Sequence, residues 1–316
     1  MANFTRFINR LKAIPFRIEY LYNQLLYPPY TNDAEDPRIN IGKVLAAMNN
    51  QKQSINSLSE VEFKVFSQFG DDGIIQYLVS KLDIPHKTFV EFGVENYKEA
   101  NTRFLILNDY WSGMVIDGSA TNIKKIKADI ISWSSELYAK EAFIDAGNIN
   151  SLLQEFLDLG YDKELGILSV DIDGNDYWVW KAIDVVNPVI VIAEYNSLFG
   201  CDKPYTVPYD PAFVRNTKYN ISYWGTSLGA LCRLAEEKGY AFVGCNQAGN
   251  NSYFIRRDKL NSAVKEIGCK EGFVYSKFRE FIDEKSGERP LGKQRVKCLK
   301  GLPLYNVDTN SIEEFQ

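Results

Sequence analysis

From about residue 62 the sequence alternates short apolar runs with stretches whose apolar side chains recur every three or four positions. The runs Thr88–Phe92, Gly113–Ile116, Ala142–Ile144, Ile167–Ile172 and Pro188–Glu194 predict buried strands. Between them, Ile74–Leu82, Ala100–Leu107, Asn122–Ile130, Ile149–Leu159 and a stretch ending at Ile183 predict helices. Strands alternating with helices of this length imply parallel βαβ units and a doubly wound α/β sheet. Ser227–Lys238 predicts a further helix. Tyr240–Cys245 and Ser252–Arg256 then follow without a helix between them, which predicts an antiparallel hairpin closing one edge of the sheet.

The two ends of the chain carry a weaker pattern. Phe4, Phe7, Ile8, Leu11, Ile18, Leu21 and Leu25 recur at helical spacing, interrupted by Pro15. This N-terminal helical extension suits packing on its own domain or on another copy in a homo-oligomer. With its basic polar face it also suits peripheral contact with a membrane surface through residues 3–27. Residues 28–39 read as a polar, proline-rich linker, and Ile41–Met48 as a short helix. The expected organisation is 1–60 as extension and linker, 61–260 as the main domain with an insertion at 197–226, and 261–316 as a C-terminal extension. In that last part a helix is expected near Phe278–Phe281. The basic run Lys293-Gln294-Arg295-Val296-Lys297 reads as a solvated surface.

Composition narrows the choices. A net charge of −5 over 316 residues argues against a nucleic-acid partner. Arg6, Arg10, Lys12 and Arg17 interrupt any signal-peptide core, and no apolar run is long enough to span a membrane. The five cysteines form no CxxC pair, so neither a disulfide framework nor a zinc site is expected, and a reducing cytoplasm fits best. The only histidine, His86, lies before the first strand, on the wrong side of a parallel sheet for ligand chemistry.

The strands share one chemical feature. Glu91, Asp117, Asp145, Asp171 and Glu194 lie in or end five successive predicted strands. Burying charge is costly unless it is paired or solvated, so five such acids indicate a cleft that uses them. An acid ending the second strand suits the two hydroxyls of a ribose. Small Ala146 beside Asp145 can admit an adenine ring. The first loop, Gly93-Val94-Glu95-Asn96-Tyr97-Lys98, has no Gly-x-Gly-x-x-Gly turn for a pyrophosphate. An adenosine ligand that is cationic and lacks phosphate fits this set, and S-adenosylmethionine is such a molecule.

In this order, Val90-Glu91-Phe92-Gly93, Val115-Ile116-Asp117-Gly118-Ser119, Ile144-Asp145-Ala146 and Ser169-Val170-Asp171-Ile172-Asp173-Gly174 resemble the motifs of class I S-adenosylmethionine-dependent methyltransferases. The closer resemblance is to the FkbM-like group and neighbouring sugar O-methyltransferases, over roughly 65–260. It implies a Rossmann-like sheet of seven strands, the last antiparallel. It also implies Glu91 and Gly93 at the methionine portion of the cofactor, Asp117 at the ribose, and Asp145 with Ala146 at the adenine. Asn96, Gly118, Ser119 and Asp171 fall within or beside these motifs. Glu95 stands where the family often has a second glycine. Asp171, Asp173 and Glu194 are the candidates for catalysis. Together with Asp176 and Asn196 they form a set of hard oxygen donors suited to Mg²⁺. The aromatic insertion 197–226 reads as a lid over a small-molecule or glycan acceptor. An NAD-dependent oxidoreductase and a non-catalytic methyltransferase-like scaffold are the alternatives.

Overall fold

A computed structural model describes residues 36–278, 290 and 292–316, apart from the side chain of Lys293. The chain divides into two compact units, 1–40 and 41–316. The expected N-terminal helix 3–27 and most of the linker lie outside the described residues. Helix α1 (Pro37–Asn50) begins earlier than the predicted Ile41. Proline suits the first helical position because its missing N–H has no partner there in any case.

In chain order, α2 (Asp71–Lys81) is followed by β1 (Thr88–Phe92), α3 (Arg103–Asp109), β2 (Ser112–Asp117), α4 (Ala120–Ala128), the short α5 (Ile131–Ser134) and β3 (Leu137–Glu141). Next come α6 (Ile149–Asp158), β4 (Ile167–Val170), α7 (Asp176–Ala182), β5 (Ile190–Glu194) and the two-residue β6 (Tyr205–Thr206). The chain continues through α8 (Leu228–Glu237), β7 (Tyr240–Cys245), β8 (Asn251–Arg256), α9 (Cys269–Gly272), β9 (Pro303–Asn306) and β10 (Ser311–Glu314).

The main sheet has seven strands in the order β3-β2-β1-β4-β5-β8-β7. The strands β1 to β5 pair in parallel, and β8 inserts antiparallel between β5 and β7. The predicted hairpin is present, with its second strand inside the sheet and its first at the edge. This is a doubly wound, mostly parallel, Rossmann-like sheet. Its central strands β1, β4 and β5 are buried on both faces, as parallel sheets require. Val90, Met114, Leu168 and Val191 face a core with Leu153, Phe156, Trp180 and Leu231 of α6, α7 and α8. Phe89, Val115, Ile167 and Ile192 face the other core, with Ile74, Leu78, Leu105 and Ile126 of α2, α3 and α4.

Two expectations are corrected. The third strand is Leu137–Glu141, and 142–145 is the loop beyond it. The strand's residues alternate between buried and partly exposed, as an edge strand allows, and the apolar Phe143-Ile144 belongs to the loop. The run at 293–297 is also more than a solvated surface, because it lies in a 3₁₀ helix, Gly292–Leu299. Arg295 there is buried, stacks 5.0 Å from the Tyr275 ring and donates to the carbonyls of Ser276 and Phe278. The expected helix near Phe278–Phe281 lies outside the described residues beyond Phe278, which sits in a bend.

The insertion and the C-terminal segment form one small structure. Strand β9 pairs with β6 of the insertion and with β10. Leu198, Phe199, Tyr205, Val207, Tyr223, Leu299, Leu304 and Phe315 form its core.

Candidate active site

Strand order reverses between β1 and β4, because β2 and β3 extend from one side of β1 while β4 and β5 extend from the other. Ligands of such sheets bind beyond the carboxyl ends of the strands at this reversal. A cleft of about 200 Å³ lies there. It is lined by the first loop (Gly93, Glu95), the end of β2 (Ile116, Asp117, Gly118), the loop after β3 (Ala142, Phe143, Ile144), the loop after β4 (Asp171, Ile172, Asp173, Asn175), and Phe213 of the insertion. Four of these residues are carboxylates, and among the described residues no lysine, arginine or histidine lines the cleft.

Gly93 sets how closely its walls approach. Its φ is +68°, and a Cβ there would lie 1.7 Å from the Asp171 carbonyl oxygen. Only glycine permits that packing. The Gly93 N–H donates to Ile116 O at 3.0 Å, which joins the first loop to β2.

The loop after β4 distributes its acids between bracing and display. Asp176 is fully buried and accepts from Ile172 N at 2.8 Å and Gly174 N at 3.0 Å, using both oxygens to hold its own turn. Burial pushes its carboxyl up to about 6. It is therefore not presented as a metal ligand. Asn196 is also committed, since its Oδ1 accepts from Leu198 N and its Nδ2 donates to the carbonyls of Ser222 and Trp224. Asp171, Asp173 and Glu194 do come together, each offering one oxygen within 4.8 Å of the others. The register explains the close pair, since Val170 lies opposite Ala193 and the next residues are Asp171 and Glu194. Burial, with the charges of Asp173 and Asp176, raises Asp171 well above the carboxylate range. Asp173 adopts φ +56° and pairs with Arg215 at 2.5 Å.

Asp117 lines the cleft while its Oδ1 accepts from Ser119 N at 2.8 Å and Asn122 Nδ2 at 3.1 Å. Ser119 caps α4. Glu91 points away from ligand duty. Its oxygens accept from the backbone of Asn101 and Thr102 and from the Thr102 hydroxyl. Burial raises it to about 7. It shapes the first loop from below. Asn96 accepts from Lys98 N within the same loop. Asp145 sits in the loop past β3 and accepts from Gly147 N and Asn148 N. Neither Asp145 nor Ala146 lines the cleft. Their neighbours Ala142, Phe143 and Ile144 do, an apolar wall suited to a flat ring.

The structure adds residues that the sequence pattern did not single out. Arg215 reaches Asp173 from the insertion, donates to Ile221 O at 2.9 Å and stacks 4.6 Å from the Trp224 ring. Phe213 packs over Gly174, where a Cβ would lie 2.3 Å from its ring. Asn175 donates to Asp210 O at 2.8 Å, and Trp178 donates to Val207 O at 2.8 Å. These bonds fasten the insertion to the acidic loop. Most of the insertion's aromatics serve its own core, leaving Phe213 at the cleft and Tyr209 exposed. Asn246 and Asn251 surround buried Asp71 together with the Tyr253 hydroxyl at 2.6 Å. Their signal was the Asp71-Asp72 pair opening α2. Asp72 accepts from Val65 N, Phe66 N, Ser67 N and the Ser67 hydroxyl.

No family model matches the sequence, and no curated protein matches it. Among solved structures, the chain is similar to the N-terminal domain of EvdMO1 with SAH bound, at 12% identity and a TM-score of 0.38, covering 69% of this chain and 94% of that one. It is similar to a putative caffeoyl-CoA O-methyltransferase from Staphylococcus aureus, at 14% identity and 0.36, covering 76% and 99%. It is also similar to the O-methyltransferase from Bacillus cereus in complex with SAH, at 10% identity and 0.33, covering 74% and 94%. At this distance the strand order and the side chains of this chain remain the ground for any assignment.

Proposed function

We propose that this chain is an S-adenosylmethionine-dependent O-methyltransferase acting on a hydroxyl of a sugar or glycan, with 61–260 as the catalytic domain and 197–226 as the acceptor lid. One observation carries the reading: a cleft at the switch point lined by Glu95, Asp117, Asp171 and Asp173 and, among the described residues, by no lysine, arginine or histidine. Such a cleft favours a cationic nucleoside and repels a pyrophosphate. That sets the NAD-dependent alternative below the methyl-donor reading.

S-adenosylmethionine supplies an electrophilic methyl group on a sulfonium. The chain's part is to align the two reactants and to take the hydroxyl proton. Asp117, with one carboxylate oxygen held by Ser119 and Asn122, is oriented for the ribose hydroxyls. Ala142, Phe143 and Ile144 form the adenine wall. Asp171 and Glu194 take the proton from the acceptor hydroxyl. Phe213 and Tyr209 offer faces on which a sugar ring can stack.

The oxygens of Asp171, Asp173 and Glu194 also fit a small divalent cation such as Mg²⁺. When bound, the ion lowers the pKa of a hydroxyl that it touches. Asp176 and Asn196, already saturated, stay outside that set. Transfer of a labelled methyl group from S-adenosylmethionine to a panel of glycans tests the activity. Loss of transfer in chelator, restored by Mg²⁺, supports the metal, and full activity in excess chelator contradicts it. No transfer and no binding of the donor would favour the scaffold.

A further inference from the structure

We propose that Glu95 holds the α-ammonium group of the methionine portion of the cofactor, an assignment that rests on the S-adenosylmethionine reading above. Four carboxylates line the cleft, and three of them are engaged. Asp117 accepts from Ser119 and Asn122, Asp171 clusters with Glu194 with an oxygen of each within 4.8 Å, and Asp173 pairs with Arg215. Glu95 alone has no hydrogen bond or ion pair among the described residues, and it is exposed to the cleft. Its backbone adopts φ +47°, a conformation that glycine takes without strain. A glutamate in that position supplies a charge that a glycine cannot.

A second, independent acceptor lies in the same cleft. Asn175 is 3% exposed, its Nδ2 is committed to Asp210 O, and its Oδ1 has no hydrogen-bond partner. The cleft therefore presents uncommitted acceptors, and its ligand has to bring donors. Asp117 and the wall at 142–144 place the adenosine toward β2 and β3. The methionine portion then lies toward the loops after β1 and β4, where Glu95 stands. A sulfonium has no N–H to donate, whereas an α-ammonium has three. A free carboxylate gains most from the ammonium, through a charge-assisted hydrogen bond.

Three ligands separate the possibilities in calorimetric titrations of the full chain. S-adenosylmethionine has both cations, S-adenosylhomocysteine has only the ammonium, and methylthioadenosine has neither. Glu95→Gln is expected to weaken the first two to a similar extent, about tenfold, while methylthioadenosine binding stays unchanged. Glu95→Gly, which relaxes the backbone, is expected to repeat this result. Weakening of S-adenosylmethionine alone would assign Glu95 to the sulfonium and overturn the proposal. Equal weakening of all three ligands in both variants, or no change in either, would also overturn it. If the unaltered protein binds none of the three, the cofactor reading itself fails.

Discussion

Asp171 and Glu194 stand one step beyond the paired residues Val170 and Ala193 on neighbouring parallel strands, and an oxygen of each carboxyl lies within 4.8 Å of the other. Two carboxyls this close in a desolvated site repel each other as anions, so one holds a proton and they titrate as a pair. Burial is the main reason that Asp171 holds on to it. In the proposed reaction the pair acts as base only once that proton leaves, so methyl transfer should rise with pH. Mg²⁺ would displace the same proton, so the concentration needed for half-maximal rate should fall as pH rises. Glu194→Gln should reduce kcat by roughly 10²- to 10⁴-fold. Rates flat in both pH and Mg²⁺ would contradict this role.

Arg215 competes for one member of the same cluster. Its guanidinium holds Asp173 at 2.5 Å and rests on Trp224. Arg215→Ala should raise the apparent affinity for Mg²⁺ several-fold, since Asp173 loses its cation. It should also raise KM for the acceptor, because the insertion loses a tie to the acidic loop. A Mg²⁺ titration of initial rates, run at two acceptor concentrations, measures both effects.

Gly93 has no tolerance for a side chain. With φ at +68° and the Asp171 carbonyl 1.7 Å from a would-be Cβ, Gly93→Ala has to push the loops after β1 and β4 apart. A loss of about 2 kcal/mol or more in stability is expected, together with loss of donor binding. Urea unfolding and donor titration of the same preparation would show both.

Buried acids make stability depend on pH in a definite direction. Glu91 is raised from 4.5 to about 7 and Asp176 from 3.8 to about 6, so the folded chain binds these protons more tightly than the unfolded chain. Their contribution is fully present below the unfolded values and is lost as pH rises through the folded ones. From pH 5.5 to 7.5, Glu91 alone should account for a loss of about 2 kcal/mol. Urea midpoints should therefore be higher at the lower pH, and Glu91→Gln should flatten that slope.

Much of the sheet was legible because most of its strands are buried on both faces and carry continuous apolar runs, as in Met114 to Ile116 and Ile190 to Ala193. The third strand was misplaced because Leu137-Tyr138-Ala139-Lys140-Glu141 is half-exposed, whereas the loop residues Phe143 and Ile144 form the more apolar run. Strands β9 and β10 carry little apolar signal; β10 pairs with β9, and β9 pairs with β6, a contact between residues about a hundred positions apart. At the site, the strand-end acids were visible, but their division of labour was not. Nothing local in the sequence distinguishes Asp173, displayed toward Arg215, from Asp176, locked in its own turn. Long-range meetings were equally hidden. Cys201 and Cys269 are far apart in the sequence, yet the Cys269 thiol donates to the Cys201 carbonyl at 3.9 Å in the fold.

The central claim is that the acidic cleft at the switch point binds S-adenosylmethionine. Calorimetric titration of S-adenosylmethionine and of NAD into the unaltered protein and into Asp117→Ala tests it most directly. The account predicts saturable binding of S-adenosylmethionine, no binding of NAD, and at least about tenfold weaker donor binding once the ribose acceptor is removed. Binding of NAD in preference, or donor binding indifferent to Asp117, would contradict it.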